Sequence, residues 1–363
     1  MRTTVQDALD RAVHDAGAPG IAAEIVDGRA RWCGSAGLSD TATGRRRAPD
    51  ERFRIGSASK AFTATVVLQL AAAHRIVLDD PIERWLPGLV RGNGYDGATV
   101  TVRQLLNHTS GIFAYTNAPE FFRNGVGEAW YAHRHDRYRP ERLVRIALAH
   151  PPYAAPGERF AYSNTNYILA AMIVERVTGQ TFAEELDRRI VRQLGLTGTY
   201  LPATGEASIR GPHPVHYSTL FATGPDPRVH DATDMDQSFA WAAGGLVSTT
   251  GDLTRFFGAL LGGRLLPAAQ LSDMLTTVDT DGSGWIPGTR YGLGVFTQTL
   301  SSGATVWGNA GATYGSWSCT MGTRDGRHLA ALHVNGDWPG LPVFDDVLSA
   351  EFPHPADDGV PVD

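Results

Sequence analysis

The sequence predicts an α+β fold in which both chain ends supply the strands of one antiparallel sheet, flanked by helices, and the middle forms a mostly helical insertion. Three observations carry that expectation. Strand-like runs occupy residues 21–26 and 29–37 and return beyond residue 291, while the stretch between them alternates helical spacings with Pro/Gly-rich connections. At 363 residues and 42% hydrophobic side chains, the chain is long and apolar enough to bury a core beneath such a sheet. The pattern assigns residues 1–60 and 245–363 to a sheet domain and 61–244 to a helical one, with a cleft between them.

The elements follow in order. Residues 5–16 have helical spacing, and Ala18-Pro19-Gly20 ends the helix before the apolar run 21–26. Asp27-Gly28 is a hairpin turn signal, so residues 29–37 read as the returning strand. Helical stretches come next at 61–73, 102–106, 140–149 and 167–193, and residues 112–139 form an aromatic, irregular excursion over a cleft. A short helix at 253–261 precedes strand patterns at 291–299, 305–307, 316–322 and 328–334, and residues 342–352 close with a helix. There is no repeat of 20–50 residues and no low-complexity tract.

Composition excludes several function classes. With 32 basic against 38 acidic side chains the net charge is −6, which offers no electrostatic footprint for nucleic acid or an anionic membrane. Residues 1–20 carry Asp7, Asp10, Arg11 and Asp15, leaving no apolar signal segment, so the chain is expected to be cytoplasmic. Two cysteines, Cys33 and Cys319, are too few for a disulfide framework or a cysteine zinc site and are expected to be buried thiols. No Gly-x-Gly-x-x-Gly lies between a strand and a helix, so no dinucleotide cofactor is implied. The tract His133-Arg134-His135-Asp136 lacks the spacing of a helical metal pair and is neighboured by arginines, so it reads as a solvated or cleft-lining loop; no metal is expected.

One basic residue stands apart. Lys60 is the only lysine among the 32 basic side chains. An arginine-rich chain needs lysine only where arginine fails, and arginine cannot deprotonate to act as a base. Lys60 closes the segment Ser57-Ala58-Ser59-Lys60 at the head of an apolar helix, which sets Ser57 and Lys60 one turn apart on the same face. A serine hydroxyl becomes a nucleophile when a nearby base accepts its proton, although Ser57 and Ser59 are equally suited to capping the helix. A second cluster, Tyr162-Ser163-Asn164, also precedes a helix. In an extended turn Tyr162 and Asn164 point to the same side: a tyrosine beside an ammonium can have a lowered pKa and take the serine proton, and an asparagine amide can hold both lysine and substrate. A buried tyrosine preceding an asparagine cap explains the same residues.

The blocks FRIGSASKAFTA, LLNHTSGI, PGERFAYSNTNYILAAMIVERVTG, GGLVSTTGDLTRFFGALLGGRLL and GNAGATYGSWS resemble, in order and over roughly residues 18 to 335, the serine β-lactamase superfamily. Within it they are most similar to the branch of class C β-lactamases, D-alanyl-D-alanine carboxypeptidases and family VIII esterases and transacylases. The resemblance implies a β-lactamase/transpeptidase-like fold and an acyl-enzyme formed at Ser57. Lys60 and Tyr162 would share the base and acid work, and Asn164 would order lysine and substrate. The Ala312 and Ser57 amides would form an oxyanion hole, a device that commonly contributes about 10²–10³ in rate. Gly311 would let substrate backbone approach the strand, and Tyr314, two residues beyond Ala312, would lie beside the site. His108 falls in a family turn that is structural. The family usually has lysine or histidine where this chain has Asn309, and a neutral amide there weakens carboxylate recognition.

The aromatic residues Tyr115, Phe121, Phe122, Trp130, Tyr131, Trp241, Tyr314 and Trp317 either line an acyl cleft or pack the helical domain. The functional expectation is a serine hydrolase or acyltransferase, without metal or cofactor, that passes an acyl group from a small ester or amide donor to water, an alcohol or an amine. The alternative within the class is a D-amino-acid-specific peptidase or weak β-lactamase. From another class, a silent penicillin-receptor-like module is disfavoured by the intact Ser57, Lys60 and Tyr162.

Overall fold

The computed structural model describes residues 3–123, 127–222 and 227–353. Its centre is a nine-stranded antiparallel sheet built from both chain ends. The N-terminal part supplies β1 (Gly20–Asp27), β2 (Ala30–Asp40) and β3 (Arg45–Arg46). The C-terminal part supplies β4 (Val278–Asp279), β5 (Thr289–Tyr291), β6 (Phe296–Thr299), β7 (Thr305–Thr313), β8 (Ser316–Gly322) and β9 (His328–Val334). The spatial order is β4-β5-β6-β7-β8-β9-β1-β2-β3, and β1 joins the two halves by pairing with β9 from Ile21↔Val334 to Asp27↔His328.

Both faces of this sheet are covered, which is why β9 reads as an almost unbroken apolar run rather than an alternating one. Its residues still divide by face: Ala330, Leu332 and Val334 join one buried cluster, and Leu329 and Ala331 join another. The first cluster is closed by α1 (Thr3–His14) and the C-terminal helix Leu341–Glu351, which pack on one another and are bridged by Arg11 and Asp346 at 2.9 Å. On the other face lie α2 (Ser59–Ala72), α3 (Asn164–Thr178) and α4 (Thr250–Leu261). Helix α2 is apolar on all sides and buried along nearly its whole length, the mark of a central core helix.

Several boundaries differ from the sequence expectation. The stretch 167–193 is not one helix, because Gly179 (φ +73°) caps α3 in the left-handed region and the chain restarts at Phe182 behind a Thr181–Glu184 capping box. The strand expected at 291–299 is split into β5 and β6 by a turn through Gly294 (φ +79°). β7 runs to Thr313, well past the expected residue 307, because Gly308-Asn309-Ala310-Gly311-Ala312 lacks side-chain alternation yet pairs fully with β8. Cys319 is buried as expected, but Cys33 is exposed on β2, near Glu24. Among the described residues, no helix is long and apolar enough to cross a membrane.

Candidate active site

The site begins with a chain reversal that only glycines permit. Residues Phe53–Arg54 lead into a 3-10 turn, Gly56–Ala58, that places Ser57 just ahead of α2. Gly56 has φ +51°, and a Cβ there would lie 2.7 Å from the Ala312 nitrogen; a Cβ on Gly311 would lie 2.0 Å from the Ile55 oxygen and 2.5 Å from the Ser57 nitrogen. Two glycines facing each other thus let β7 press against the serine turn. From β8, Ser316 Oγ donates to the Arg54 carbonyl (2.7 Å) and Ser318 Oγ to the Ile55 carbonyl (3.0 Å), fastening the approach to the sheet. Ser57 caps nothing: Ser59 Oγ makes the local bond, donating to the Gly56 carbonyl at 2.7 Å.

Lys60 lies one turn on and is fully buried. Its Nζ is 3.1 Å from Ser57 Oγ, 2.7 Å from Asn164 Oδ1 and 2.6 Å from the Ala243 carbonyl oxygen. With no carboxylate among these partners, burial pushes the lysine pKa well below its ordinary 10.5. A neutral amine has two N–H donors and one lone pair, so donation to Asn164 and Ala243 leaves the lone pair facing Ser57.

Tyr162 arrives on the extended segment before α3, and its hydroxyl donates to Ser57 Oγ at 2.7 Å. Its pKa is not lowered. Desolvation of the partly buried ring holds the phenol above its ordinary value of 10, with the Ser57 contact only a partial offset. Asn164 opens α3, with Oδ1 on Lys60 and Nδ2 donating to Thr116 Oγ1 at 3.2 Å. His108, buried beneath, sits 4.3 Å from the Tyr162 ring and accepts from the Ser163 amide at 3.2 Å, consistent with a supporting place.

Two cavities meet at Ser57 and Ala312. One, of about 250 Å³, is walled by Tyr115, Phe121, Phe221, Phe239 and Tyr314, and among the described residues its lining includes no Lys, Arg, His, Asp or Glu. The other, of about 230 Å³, lies on the Tyr162 side between Trp285, Ile286, Trp317 and Phe344. A larger depression of about 960 Å³ lies elsewhere, among arginines that include Arg31, Arg255 and Arg327, and its lining does not include Ser57.

The structure brings Ser57, Lys60, Tyr162, Asn164, Gly311, Ala312 and Tyr314 around one point. It does not bring Asn309, which is 2% exposed and lines neither cavity; its Nδ2 donates to the Gly294 carbonyl at 2.7 Å, beneath the site. Tyr314 lies in the turn after β7 rather than on the strand. Of the aromatic candidates, Tyr115, Phe121 and Tyr314 line the first cavity and Trp317 the second. Trp130 stacks behind Tyr314 at 3.4 Å, Tyr131 packs on His230 and Trp241 on Phe182. The Phe122 side chain lies outside the described residues. The tract at 133–136 is exposed at His133, which meets Asp136 at 3.0 Å. Sequence reasoning missed Trp285, stacked on Tyr162 at 4.3 Å, together with Phe221, Phe239 and the Ala243 carbonyl. No local motif marks any of these; Trp285 and Phe221 come from distant loops, and Phe239 and Ala243 from the short helical segments Gln237–Phe239 and Trp241–Gly244.

A family model described as Beta-lactamase matches residues 5–346. Penicillin-binding protein 4 of Amycolatopsis lactamdurans is 30% identical over 335 residues, covering 88% of this chain and 81% of its own length. A D-stereospecific amidohydrolase from Streptomyces sp. is similar in structure with a TM-score of 0.89 and 45% identity, over 97% of this chain and 98% of that one. D-amino acid amidase from Ochrobactrum anthropi SV3, complexed with L-phenylalanine amide, gives a TM-score of 0.81 and 27% identity over 96% and 97%. Other curated relatives are longer: this chain spans 42% of one and 56% of another.

Proposed function

The chain belongs to the beta-lactamase family and is a serine hydrolase, and from that premise we propose that it is a D-stereospecific amidohydrolase. Its substrates would be amides, esters or short peptides whose acyl group is a D-amino acid with an apolar or aromatic side chain. The observation that carries this reading is the aromatic cavity beside Ser57, whose described lining suits an apolar side chain and a neutral amide and includes no cation for a penicillin or peptide carboxylate. Aromatic faces also attract an α-ammonium group. The similarity to a D-stereospecific amidohydrolase and to a D-amino acid amidase supports the same choice over a simple ester hydrolase.

In the mechanism we propose, the Ser57 Oγ–H proton passes to the Lys60 lone pair as Oγ bonds to the substrate carbonyl carbon. The negative charge on the carbonyl oxygen meets the Ser57 and Ala312 amides. As the C–N bond breaks, the Tyr162 phenol protonates the leaving nitrogen, and the proton held by Lys60 restores the phenol. The acyl-enzyme ester is then attacked by water, giving the free D-amino acid, or by an amine admitted through the cavity beside Trp285, giving a new amide. Hydrolysis and transfer share every step up to that ester.

The test is release of ammonia from D- and L-phenylalanine amide, with benzylpenicillin as a third substrate and Ser57→Ala as control. Turnover of the D-amide well above the other two, absent in the variant, is expected. Faster turnover of penicillin, or no stereochemical preference, contradicts the reading.

A further inference from the structure

Asp337, in the loop after β9, is 7% exposed, and its carboxylate is surrounded by neutral donors from two segments remote in sequence. Oδ2 accepts from Ser218 Oγ and from the Gly315 amide at 3.0 Å; Oδ1 accepts from the Thr219 amide at 3.0 Å and from Thr219 Oγ1 at 3.2 Å. The first segment continues into Leu220 (φ 58°) and Phe221 (φ 53°), two successive non-glycine residues in the left-handed region. Such a pair persists only where its surroundings hold it. Ser218 Oγ also accepts from the Leu220 amide at 2.9 Å, and Leu220 is buried against Trp130, Met235 and Tyr314. The second segment is the turn at Tyr314-Gly315, where a Cβ on Gly315 would come within 2.5 Å of the His216 backbone, so the turn has no room to slide. Phe221 and Tyr314, 5.1 Å apart, are both walls of the cavity beside Ser57.

We propose that Asp337 is a positioning residue for acyl-group selectivity: by tying the Phe221 loop to the Tyr314 turn, it fixes the aromatic wall of the cavity relative to Ser57. The amide substrates used to test it rest on the D-aminoacyl reading above. A carboxylate is required because two backbone N–H groups lie on different oxygens. Asparagine, equal in shape, has one acceptor oxygen and must turn its NH₂ toward one of those donors. The wall is then released while Ser57, Lys60 and Tyr162, none of which Asp337 touches, keep their geometry.

The experiment compares kcat and KM for D-phenylalanine amide and D-alanine amide in the wild type, Asp337→Asn and the milder Ser218→Ala, with thermal unfolding of each. We expect KM for the phenylalanine amide to rise about tenfold in Asp337→Asn, with kcat and the alanine amide nearly unchanged and a smaller shift of the same kind in Ser218→Ala. Equal losses on both substrates, or no change on either, overturn the proposal. A parallel arm measures calorimetric binding of benzylboronic and methylboronic acid, which bond to a serine nucleophile whatever the natural substrate. Loss of the benzyl preference in Asp337→Asn supports the proposal even if no amide is turned over, in which case only the D-aminoacyl reading fails. A preference retained in the variant, or absent in the wild type, overturns it.

Discussion

Lys60 Nζ stands 3.1 Å from Ser57 Oγ with its other two hydrogen-bond directions committed to the oxygens of Asn164 and Ala243. That relationship makes the amine a base by burial rather than by a neighbouring charge. Because the lysine pKa is lowered from 10.5, the acid limb of kcat/KM is expected below pH 10.5, activity rising as Lys60 loses its proton. The raised phenol of Tyr162 puts the alkaline limb above pH 10. Lys60→Arg places a permanent positive charge with no lone pair beside Ser57 and is expected to lose about 10²–10⁴ in acylation rate. Stopped-flow acylation against pH checks both, and an active arginine variant would refute the assignment.

Gly311→Ala should remove activity and lower stability together. The new Cβ must displace the Ile55 carbonyl and the Ser57 amide, so the oxyanion site opens and overpacking costs about 1–3 kcal/mol. Gly56→Ala is expected to act likewise, with added left-handed strain at φ +51°. Acylation kinetics with denaturant unfolding would expose the opposite result, a well-folded and active Gly311→Ala.

Stability should fall steeply below pH 6.5. His108, His216 and His333 are buried, and burial holds all three pKa values well below 6.5. Above pH 6.5 both native and unfolded chains hold them neutral. As pH falls, the unfolded chain binds protons that the native one refuses, and each group removes up to about 1.4 kcal/mol per pH unit. Neither ring nitrogen of His216 has a hydrogen-bond partner among the described residues, so His216→Phe should lose its share of the slope at little cost. Urea unfolding between pH 6.5 and 4.5 measures this, and an unchanged slope counts against it.

Asn309→His should act on stability, not on substrate choice. The buried Asn309 amide satisfies the Gly294 carbonyl, and a bulkier imidazole in its place is expected to cost about 1–3 kcal/mol. A substrate panel showing a gain in carboxylate-bearing substrates with unchanged melting temperature would reverse that conclusion.

How much was legible depends on how far each contact reaches along the chain. Ser57 and Lys60 share one helical turn, and Tyr162 and Asn164 are two residues apart, so local periodicity alone puts each pair on a common side. The single lysine marked its own position, and the antiparallel sheet from both chain ends could be read from strands separated by a helical middle. What periodicity does not carry is protonation or enclosure. A tyrosine beside an ammonium can be an acidic phenol, but desolvation raises the Tyr162 pKa and lowers that of Lys60. Asn309 follows the family position in sequence, yet the split between β5 and β6 brings the Gly294 carbonyl onto its amide and takes it out of the cleft. The sequence by itself determined the candidate nucleophile and base and the class of sheet, because those depend on short spacings and on residue chemistry. Only the tertiary structure decided how burial shifts the pKa of Lys60 and of Tyr162, which aromatic residues wall the cavity and what surrounds Asp337, because desolvation and packing arise where remote segments meet.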